Sequence, residues 1–231
     1  MYRSNDEYVG ADGEWVHEAG VGAEREVRLN AGVKRAMDIL GAVALLVFFL
    51  PLLLVVALGV RMSSRGPIIY SQERIGLGGK KFRFYKFRSM VENSEEVFTS
   101  FLDSDHEARA QWEKYQKLDR DPRITAFGKF IRKTSLDEFP QFWNVLVGDM
   151  SLVGPRPCMP NQKDLYGVYW RHYCAVRPGL TGLWQVSGRN RLTYQQRVLL
   201  DAQYVRNWSV WRDIQILART VSVVLTAQGS R

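Results

Sequence analysis

The chain has 231 residues, with 32 basic and 24 acidic side chains and a formal net charge of +8 at pH 7. This length fits one domain with a small appendage, and a hydrophobic fraction of 46% excludes a disordered chain. Cys158 and Cys174 are the only cysteines, so one disulfide is possible but a dense framework is excluded. They lack the CxxC spacing of a metal site, and reduced thiols in a cytosolic setting are favoured.

The charges are unevenly distributed along the chain. Residues 1–30 hold seven acidic and three basic side chains without periodicity, and they are predicted to form a flexible acidic segment. Residues 61–90 hold eight basic side chains and one acidic side chain. Such a basic block suits phosphates on nucleic acid, on nucleotides or on lipid headgroups.

Residues 39–60 form an apolar run of 22 residues without a charged side chain. As a helix the run reaches roughly 33 Å, near the thickness of a bilayer core. A nucleic-acid-binding protein would explain the basic charge but not this apolar run. Pro51 lies near its middle, and basic residues flank both ends. Because positive charge is retained on the cytoplasmic side, we predict a re-entrant membrane helix over 31–62, broken at Pro51. A simple spanning helix, with residues 1–30 outside, is the alternative. The flanking residues are Lys34, Arg35, Arg61 and Arg65.

The segment that follows predicts a small β-hairpin. Residues 66–90 read as two strands around a glycine turn at Gly76–Gly79, and the second strand has a basic face. The turn's "GLGGK" has the wrong spacing for a phosphate-binding P-loop. Residues 91–118 are acidic and lack Gly and Pro, which predicts an acidic helical insertion of one long helix or two short ones.

Further helices are predicted in the last half of the chain. Two amphipathic helices fit residues 121–150, and two more fit 194–206 and 210–226. Trp208 and Trp211 at the last junction fit either a membrane interface or an aromatic core. The predicted fold is therefore α+β and mostly helical, with a re-entrant membrane helix, a small β-hairpin and several amphipathic helices at the membrane surface.

The stretch "KTSLDEFPQFWNVLVGDMSLVGPRP" contains an adjacent pair of acids, Asp137 and Glu138. Ser135 and Glu138 have the spacing of a capping box, so an ordinary helix start is one interpretation. In the chemical interpretation, a carboxylate at a helix N-terminus has a lowered pKa and is available as a nucleophile. A second carboxylate beside it suits Mg²⁺.

Basic residues near this pair suit a phosphate. Arg156 is held between Pro155 and Pro157, and a guanidinium on a stiff turn is suited to bidentate phosphate binding. Arg132 lies five residues before Asp137 and could reach the same pocket, and Arg189 in "SGRN" is a further candidate donor. Taken singly, each arginine is more typical of a solvated surface, and it is the combination with the acids and the apolar helix that indicates a site.

These residues and motifs resemble the bacterial sugar transferases, the monotopic phosphoglycosyl transferases. The resemblance covers the chain from about residue 33 onward. It implies the re-entrant helix and a cytosolic catalytic domain over 63–231, at the cytoplasmic face of the bacterial inner membrane. Many members carry Ser where this chain has Leu50 before Pro51. The matching stretches are "KRAMDIL", the proline-broken apolar helix, "KFRSM", "IRKTSLDEFPQFWNVLVGDMSLVGPRP" and "RPGLTGLWQVSGRN".

The resemblance also implies an activity, the transfer of hexose 1-phosphate from a UDP-sugar to undecaprenyl phosphate with release of UMP. Galactose or glucose is the expected hexose, and the step would initiate exopolysaccharide or O-antigen synthesis. Asp137 is expected to form a covalent sugar-phosphoryl aspartate, and Asp137 and Glu138 to hold Mg²⁺. The expected substrate-binding residues are Lys86, Arg88, Arg132, Pro155, Arg156, Pro157 and Arg189.

The expected partners are a UDP-sugar, undecaprenyl phosphate and membrane lipids, not nucleic acid, and a homodimer is left open. A membrane-anchored scaffold or binding protein is one rival, although it would not explain the acids and the Pro-Arg-Pro motif. A membrane phosphatase that forms an aspartyl phosphate is another, and it would release inorganic phosphate rather than UMP.

Overall fold

The computed structural model describes residues 21–115, 118, 120–188 and 192–225. This part of the chain is mostly helical and has two sheets of two strands each, which agrees with the predicted helix content and hairpin. In chain order its helices and strands are α1 (Val21–Ser63), β1 (Ile69–Ile75), β2 (Lys81–Phe87), α2 (Ser94–Ser104), α3 (His106–Tyr115), α4 (Ala126–Lys133), α5 (Gln141–Val147), β3 (Ser151–Val153), α6 (Lys163–Tyr166), α7 (Trp170–Cys174), β4 (Gly179–Thr181), α8 (Leu183–Ser187), α9 (Tyr194–Arg206) and α10 (Val210–Leu225).

Helix α1 contains the apolar run. Its segment Ala31–Ser63 is 33 residues long with a mean hydropathy of 3.1, so length and composition allow it to cross a membrane. The helix is continuous through Pro51, and the re-entrant course stays a prediction. Residues 21–30 belong to this helix, whereas the rest of the predicted flexible segment, residues 1–20, lies outside the described residues.

Both ends of the apolar helix contact the rest of the protein. Near the start, the guanidinium of Arg35 donates to the carbonyl oxygens of Val145 at 2.6 Å and Leu146 at 2.8 Å. Near the end, Val56 and Val60 are buried against β2 and α4. Between these anchors the apolar side chains are largely exposed, as in a segment whose surroundings are lipid.

The predicted hairpin and insertion are both present. Strands β1 and β2 pair antiparallel with Ile69 opposite Phe87, and positive φ angles at Gly78 and Gly79 allow the tight turn between them. The acidic insertion forms two short helices, α2 and α3, rather than one long helix. It packs through Phe98 and Trp112, whose ring centroids are 4.7 Å apart.

A short parallel pair, β3 and β4, was not predicted. Each strand has three residues, too few to show an alternating pattern, and Ser151 lies opposite Gly179. A Cβ atom on Gly179 would lie 2.1 Å from the backbone nitrogen of Gly154, so this approach requires glycine. The Gly179 N–H donates to the Pro155 oxygen at 2.7 Å. The pair thus fixes the start of the Pro-Arg-Pro turn.

Helices α9 and α10 match the predicted helices 194–206 and 210–226, residue 226 lying outside the described part. The two tryptophans at their junction differ. Trp208 packs against the main core and its indole N–H donates to Asp213 at 3.2 Å, whereas Trp211 is 66% exposed. Trp208 therefore fits the core interpretation, and the exposure of Trp211 is compatible with an interfacial position.

Asn144 on α5 connects this helix to the hairpin. Its side chain is fully buried, donates to the Arg83 oxygen at 2.7 Å and accepts from the Tyr85 N–H at 3.2 Å. The Asn144 amide thus makes two backbone hydrogen bonds of the kind that a further strand would make with β2. Because Lys86 follows directly, Asn144 also fixes the strand position from which this lysine reaches the paired acids.

We expect Asn144→Asp to lower the free energy of unfolding by about 2–4 kcal/mol, because a carboxylate oxygen would face the Arg83 oxygen in a buried site. Unfolding in detergent, followed by tryptophan fluorescence, measures the change. The control is Asn161→Asp, the same substitution at an exposed residue. Equal stability of the two variants would contradict this role.

Candidate active site

The paired acids lie in a tight reversal between α4 and α5. Ser135 has a φ of 58° and a ψ of 15°, the left-handed conformation that often ends a helix, and its side chain makes no capping hydrogen bond. The predicted capping box at Ser135 is therefore wrong. Asp137 and Glu138 instead belong to one turn of 3₁₀-helix, Leu136–Glu138, which turns both side chains toward β2.

Lys86 on β2 faces both acids. Its Nζ lies 2.7 Å from Glu138 Oε1 and 3.7 Å from Asp137 Oδ2. Asp137 is only 6% exposed, so its charge is poorly solvated and depends on such neighbours. The two carboxylates thus converge on one cation, although they are adjacent in sequence.

Burial raises the pKa of Asp137 above its ordinary value, and the repulsion from Glu138 adds to the rise. The positive charges of Lys86 and Arg132 act in the opposite direction without reversing it. The sequence predicted a lowered pKa from a helix N-terminus. That prediction is wrong because the acids start no α-helix, so desolvation outweighs the remaining stabilisation of the charged form.

Arg132 is brought to the acids by the packing of α4. A Cβ atom on Gly128 would lie 2.0 Å from the Ser89 oxygen, so glycine is needed for this close approach to the end of the hairpin. One turn later, Arg132 Nε donates to Ser89 Oγ at 2.7 Å. This bond directs the guanidinium toward Asp137. Burial lowers the pKa of Arg132, and the attraction to Asp137 opposes this lowering without reversing it.

The Pro-Arg-Pro turn presents one arginine on a rigid base. Pro155 and Pro157 are buried, whereas Arg156 between them is exposed. Its guanidinium carbon lies 6.0 Å from the ring centroid of Trp184, and that of Arg197 lies 4.7 Å from the same ring. The backbone of Arg156 is therefore fixed and its guanidinium lies over the Trp184 ring, while its hydrogen-bond donors remain available to an anion.

A cavity of about 760 Å³ joins these groups. This volume lies in the usual range for small-molecule sites and is large enough for a nucleotide. Predicted residue Arg189 lies outside the described residues, and Pro155 and Pro157 support the turn rather than line this cavity. Arg74, Ser89 and Trp184 also line it and were not predicted, although Trp184 belongs to the quoted "GLTGLWQVSGRN" stretch. The predicted site residues in its wall are Lys86, Arg88, Arg132, Asp137, Glu138 and Arg156.

Asp137 and Glu138 are also candidate ligands of Mg²⁺. Among the described residues, no group of three or more His, Cys, Asp or Glu side chains could form an all-protein metal site. Mg²⁺ more often binds one or two carboxylates together with substrate phosphates. Asp137 and Glu138, which already converge on the ammonium of Lys86, fit a site of that kind.

Comparison with protein-family models identifies the family of this chain. The family model described as bacterial sugar transferase matches residues 29–227, which include the apolar part of α1 and the whole site. The chain belongs to the bacterial sugar transferases.

Curated members of this sugar transferase family are closely similar to the chain. The undecaprenyl-phosphate galactose phosphotransferase of Salmonella typhimurium is 51% identical over 203 residues, which are 88% of this chain and 42% of that protein. The UDP-glucose:undecaprenyl-phosphate glucose-1-phosphate transferase of Escherichia coli is 41% identical over 84% of this chain and 40% of that protein. The chain thus spans about two fifths of these relatives. The exopolysaccharide production protein ExoY of Rhizobium meliloti is 43% identical over 85% of this chain and 87% of that protein.

Proposed function

We propose that the protein transfers hexose 1-phosphate, with galactose or glucose as the hexose, from a UDP-sugar to undecaprenyl phosphate. The reaction releases UMP and initiates exopolysaccharide or O-antigen synthesis at the cytoplasmic face of the inner membrane. The names of the Salmonella and Escherichia relatives support this substrate class. The observation that carries the proposal is a buried carboxylate, Asp137, in a cavity that also presents Lys86, Arg132 and Arg156.

The chemistry takes two displacements at one phosphorus atom. A carboxylate oxygen of Asp137 bonds to the phosphorus that carries the sugar, while the bond to the bridging oxygen breaks and UMP leaves with the electron pair. An oxygen of the acceptor phosphate then attacks the same phosphorus. The aspartyl bond breaks, the polyprenyl diphosphate sugar departs and the carboxylate is restored.

Cationic side chains of the cavity supply the electrostatic part of the mechanism. Donor and acceptor phosphates and the acids are all negative, so the nucleophile and substrate repel each other unless positive charge lies between them. Lys86 and Arg132 lie beside Asp137, and Arg156, which lines the same cavity, can bind a phosphate of the donor. When bound by Asp137, Glu138 and donor phosphates, Mg²⁺ would supply further charge neutralisation.

We also propose that α1 enters and leaves the membrane on the cytoplasmic side. A helix crossing once would carry its two ends to opposite sides, where one domain could not contact both. Here Arg35 contacts α5 at one end, and Val60 packs against α4 at the other. The basic residues of 61–90 would add attraction to anionic lipid.

Thiol labelling in inverted membrane vesicles tests this course. We expect Ala31→Cys and Arg65→Cys, each in a Cys174→Ser background, to react with an impermeant reagent from the cytoplasmic side. Both residues are exposed and flank the apolar run. Labelling of the two positions from opposite sides would contradict the re-entrant helix.

UMP release tests the activity. Detergent-purified protein is incubated with a panel of UDP-sugars, with and without undecaprenyl phosphate and Mg²⁺. We expect multiple-turnover UMP release that depends on the acceptor, with UDP-galactose or UDP-glucose as the best donor. Folded protein that releases inorganic phosphate instead would act as a phosphatase, and absence of any turnover across the panel would overturn the proposal.

For Glu138→Gln we expect a fall in kcat of about 10²-fold, together with a higher Mg²⁺ concentration for half-maximal activity. The substitution removes one of the two carboxylates while leaving Asp137 as the nucleophile. Activity measured over a Mg²⁺ titration separates the two effects. An unchanged Mg²⁺ dependence would exclude Glu138 as a metal ligand.

A further inference from the structure

A second, smaller cavity of about 130 Å³ adjoins the active-site cavity. Arg74, Arg156 and Trp184 line both cavities, so their walls are continuous. The inner part of the small cavity is formed by Arg197 and Asp201 of α9. Neither Arg197 nor Asp201 takes part in the nucleophilic attack, the metal binding or the phosphate binding proposed above.

Asp201 is the most unusual of these side chains. It is only 3% exposed, and its Oδ2 accepts a hydrogen bond from the Tyr166 hydroxyl at 3.1 Å. Its other oxygen, Oδ1, is buried and has no hydrogen-bond partner among the described residues. Buried carboxylate oxygens are normally paired, because an unpaired one costs free energy. Burial also raises the pKa of Asp201 well above its usual range.

Unpaired hydrogen-bond donors line the same space. The Nε atoms of Arg74 and Arg197 and the indole Nε1 of Trp184 are buried without a partner among the described residues. The remaining donors of Arg74 are directed by bonds to Gln72 at 2.8 Å and to the Pro157 oxygen at 3.2 Å. The side chains that line the cavity therefore include one with an unpaired acceptor and several with unpaired donors.

This combination selects a ligand that both donates and accepts hydrogen bonds. A phosphate would suit the arginines but has no hydrogen-bond donor for the unpaired Asp201 Oδ1, and an apolar group would leave every polar atom unpaired. Sugar hydroxyls do both. A volume of about 130 Å³ is that of roughly four waters, which suits the hydroxyl-bearing side of one hexose but not a nucleoside.

We infer that this small cavity binds the hexose of the transferred sugar phosphate, with Asp201 Oδ1 accepting hydrogen bonds from its hydroxyl groups. The inference rests on the proposed function. The larger cavity would then hold the UDP moiety, and the diphosphate would cross at Arg156, which lines both. Asp201 thereby becomes a determinant of which UDP-sugar is used, whereas Asp137 performs the chemistry on any of them.

Steady-state kinetics with Asp201→Asn tests the inference. This isosteric variant exchanges an acceptor for a donor, and we expect kcat/KM for the preferred UDP-sugar to fall about 10- to 100-fold, mostly through KM. The ratio of kcat/KM for UDP-galactose to that for UDP-glucose should change. The inhibition constant of UDP, which has no sugar, should stay within about twofold. Asp164→Asn, the same change at an exposed residue, is the control.

A second variant, Val198→Leu, adds one methylene to the buried wall of the cavity without touching the carboxylate. It should also weaken UDP-sugars without weakening UDP, and it decides the question if Asp201→Asn does not fold. Equal weakening of UDP and UDP-sugars would place the nucleotide in the small cavity and overturn the inference, as would unchanged kinetics in both variants. Failure of the wild type to release UMP would instead reject the proposed function.

Discussion

Asp137→Asn is expected to abolish transfer, with turnover at least about 10³-fold below that of the wild type. The amide keeps the shape of the side chain but cannot attack phosphorus, and the neighbouring Glu138 is directed to Lys86. Without acceptor, the wild type should release UMP in a burst equal to the enzyme concentration and gain the mass of a sugar phosphate. The variant should show neither the burst nor the added mass.

Stability distinguishes this loss from misfolding. Burial already disfavours the charged form of Asp137, so a neutral isostere should leave the thermal midpoint unchanged or raise it. Asp164→Asn, at an exposed position, should retain full activity and serves as the control. Substantial burst release by a folded Asp137→Asn variant would contradict the covalent mechanism.

The direction of the Asp137 pKa shift also has a consequence for the pH dependence of the reaction. The attacking group is the carboxylate, and burial raises its pKa, so the active fraction decreases as the pH falls through a higher value than for an exposed aspartate. Lys86 and Arg132 limit the rise because they stabilise the charged form. Substrate phosphates that bind Lys86 or Arg132 would therefore weaken the stabilisation of the charged form of Asp137.

Those parts of the fold that repeat a local pattern were predictable from the sequence. Helices α9 and α10 follow from periodicity, and the hairpin follows from alternating residues around a glycine turn. The acids and the Pro-Arg-Pro motif were predicted as site residues, and Arg132, Lys86 and Arg156 line the same cavity as the acids.

The remaining features depend on contacts between distant segments, which a local pattern does not show. The capping-box spacing at Ser135 was misleading because the chain reverses there in a left-handed conformation. The pKa of Asp137 is set by burial under β2 and α4, and strands β3 and β4 are paired through glycines far apart in sequence. Asp201 looks like an ordinary polar helix residue until the packing of α6 and α8 around α9 buries it.

The N-terminal part of α1 is joined to the domain by a buried ion-pair network. Lys34 Nζ lies 2.6 Å from Asp213 Oδ2 and 3.2 Å from Asp38 Oδ1, and both acids are almost completely buried. Asp38 also accepts from the Leu152 N–H and the Ser151 hydroxyl, each at 3.0 Å. The lysine thus separates two buried negative charges that belong to different helices.

Lys34→Met is expected to lower the free energy of unfolding by about 3–5 kcal/mol, because removal of one partner leaves uncompensated buried charge. The thermal midpoint in detergent should fall by about 10 °C. The matched control is Lys81→Met, which removes a pair of similar length, 2.8 Å to Glu73, whose two side chains are 61% and 53% exposed. That change should cost at most about 1 kcal/mol, since water solvates both charges.

A double variant separates electrostatics from lost packing. In Lys34→Met with Asp38→Asn, only one of the two buried carboxylates remains charged, so part of the lost stability should return. If the double variant is less stable than Lys34→Met alone, the contribution of Lys34 lies in packing rather than in charge. Equal midpoints for Lys34→Met and Lys81→Met would show that the helix is held by its apolar contacts with α4 and β2, without need of the buried ion pair.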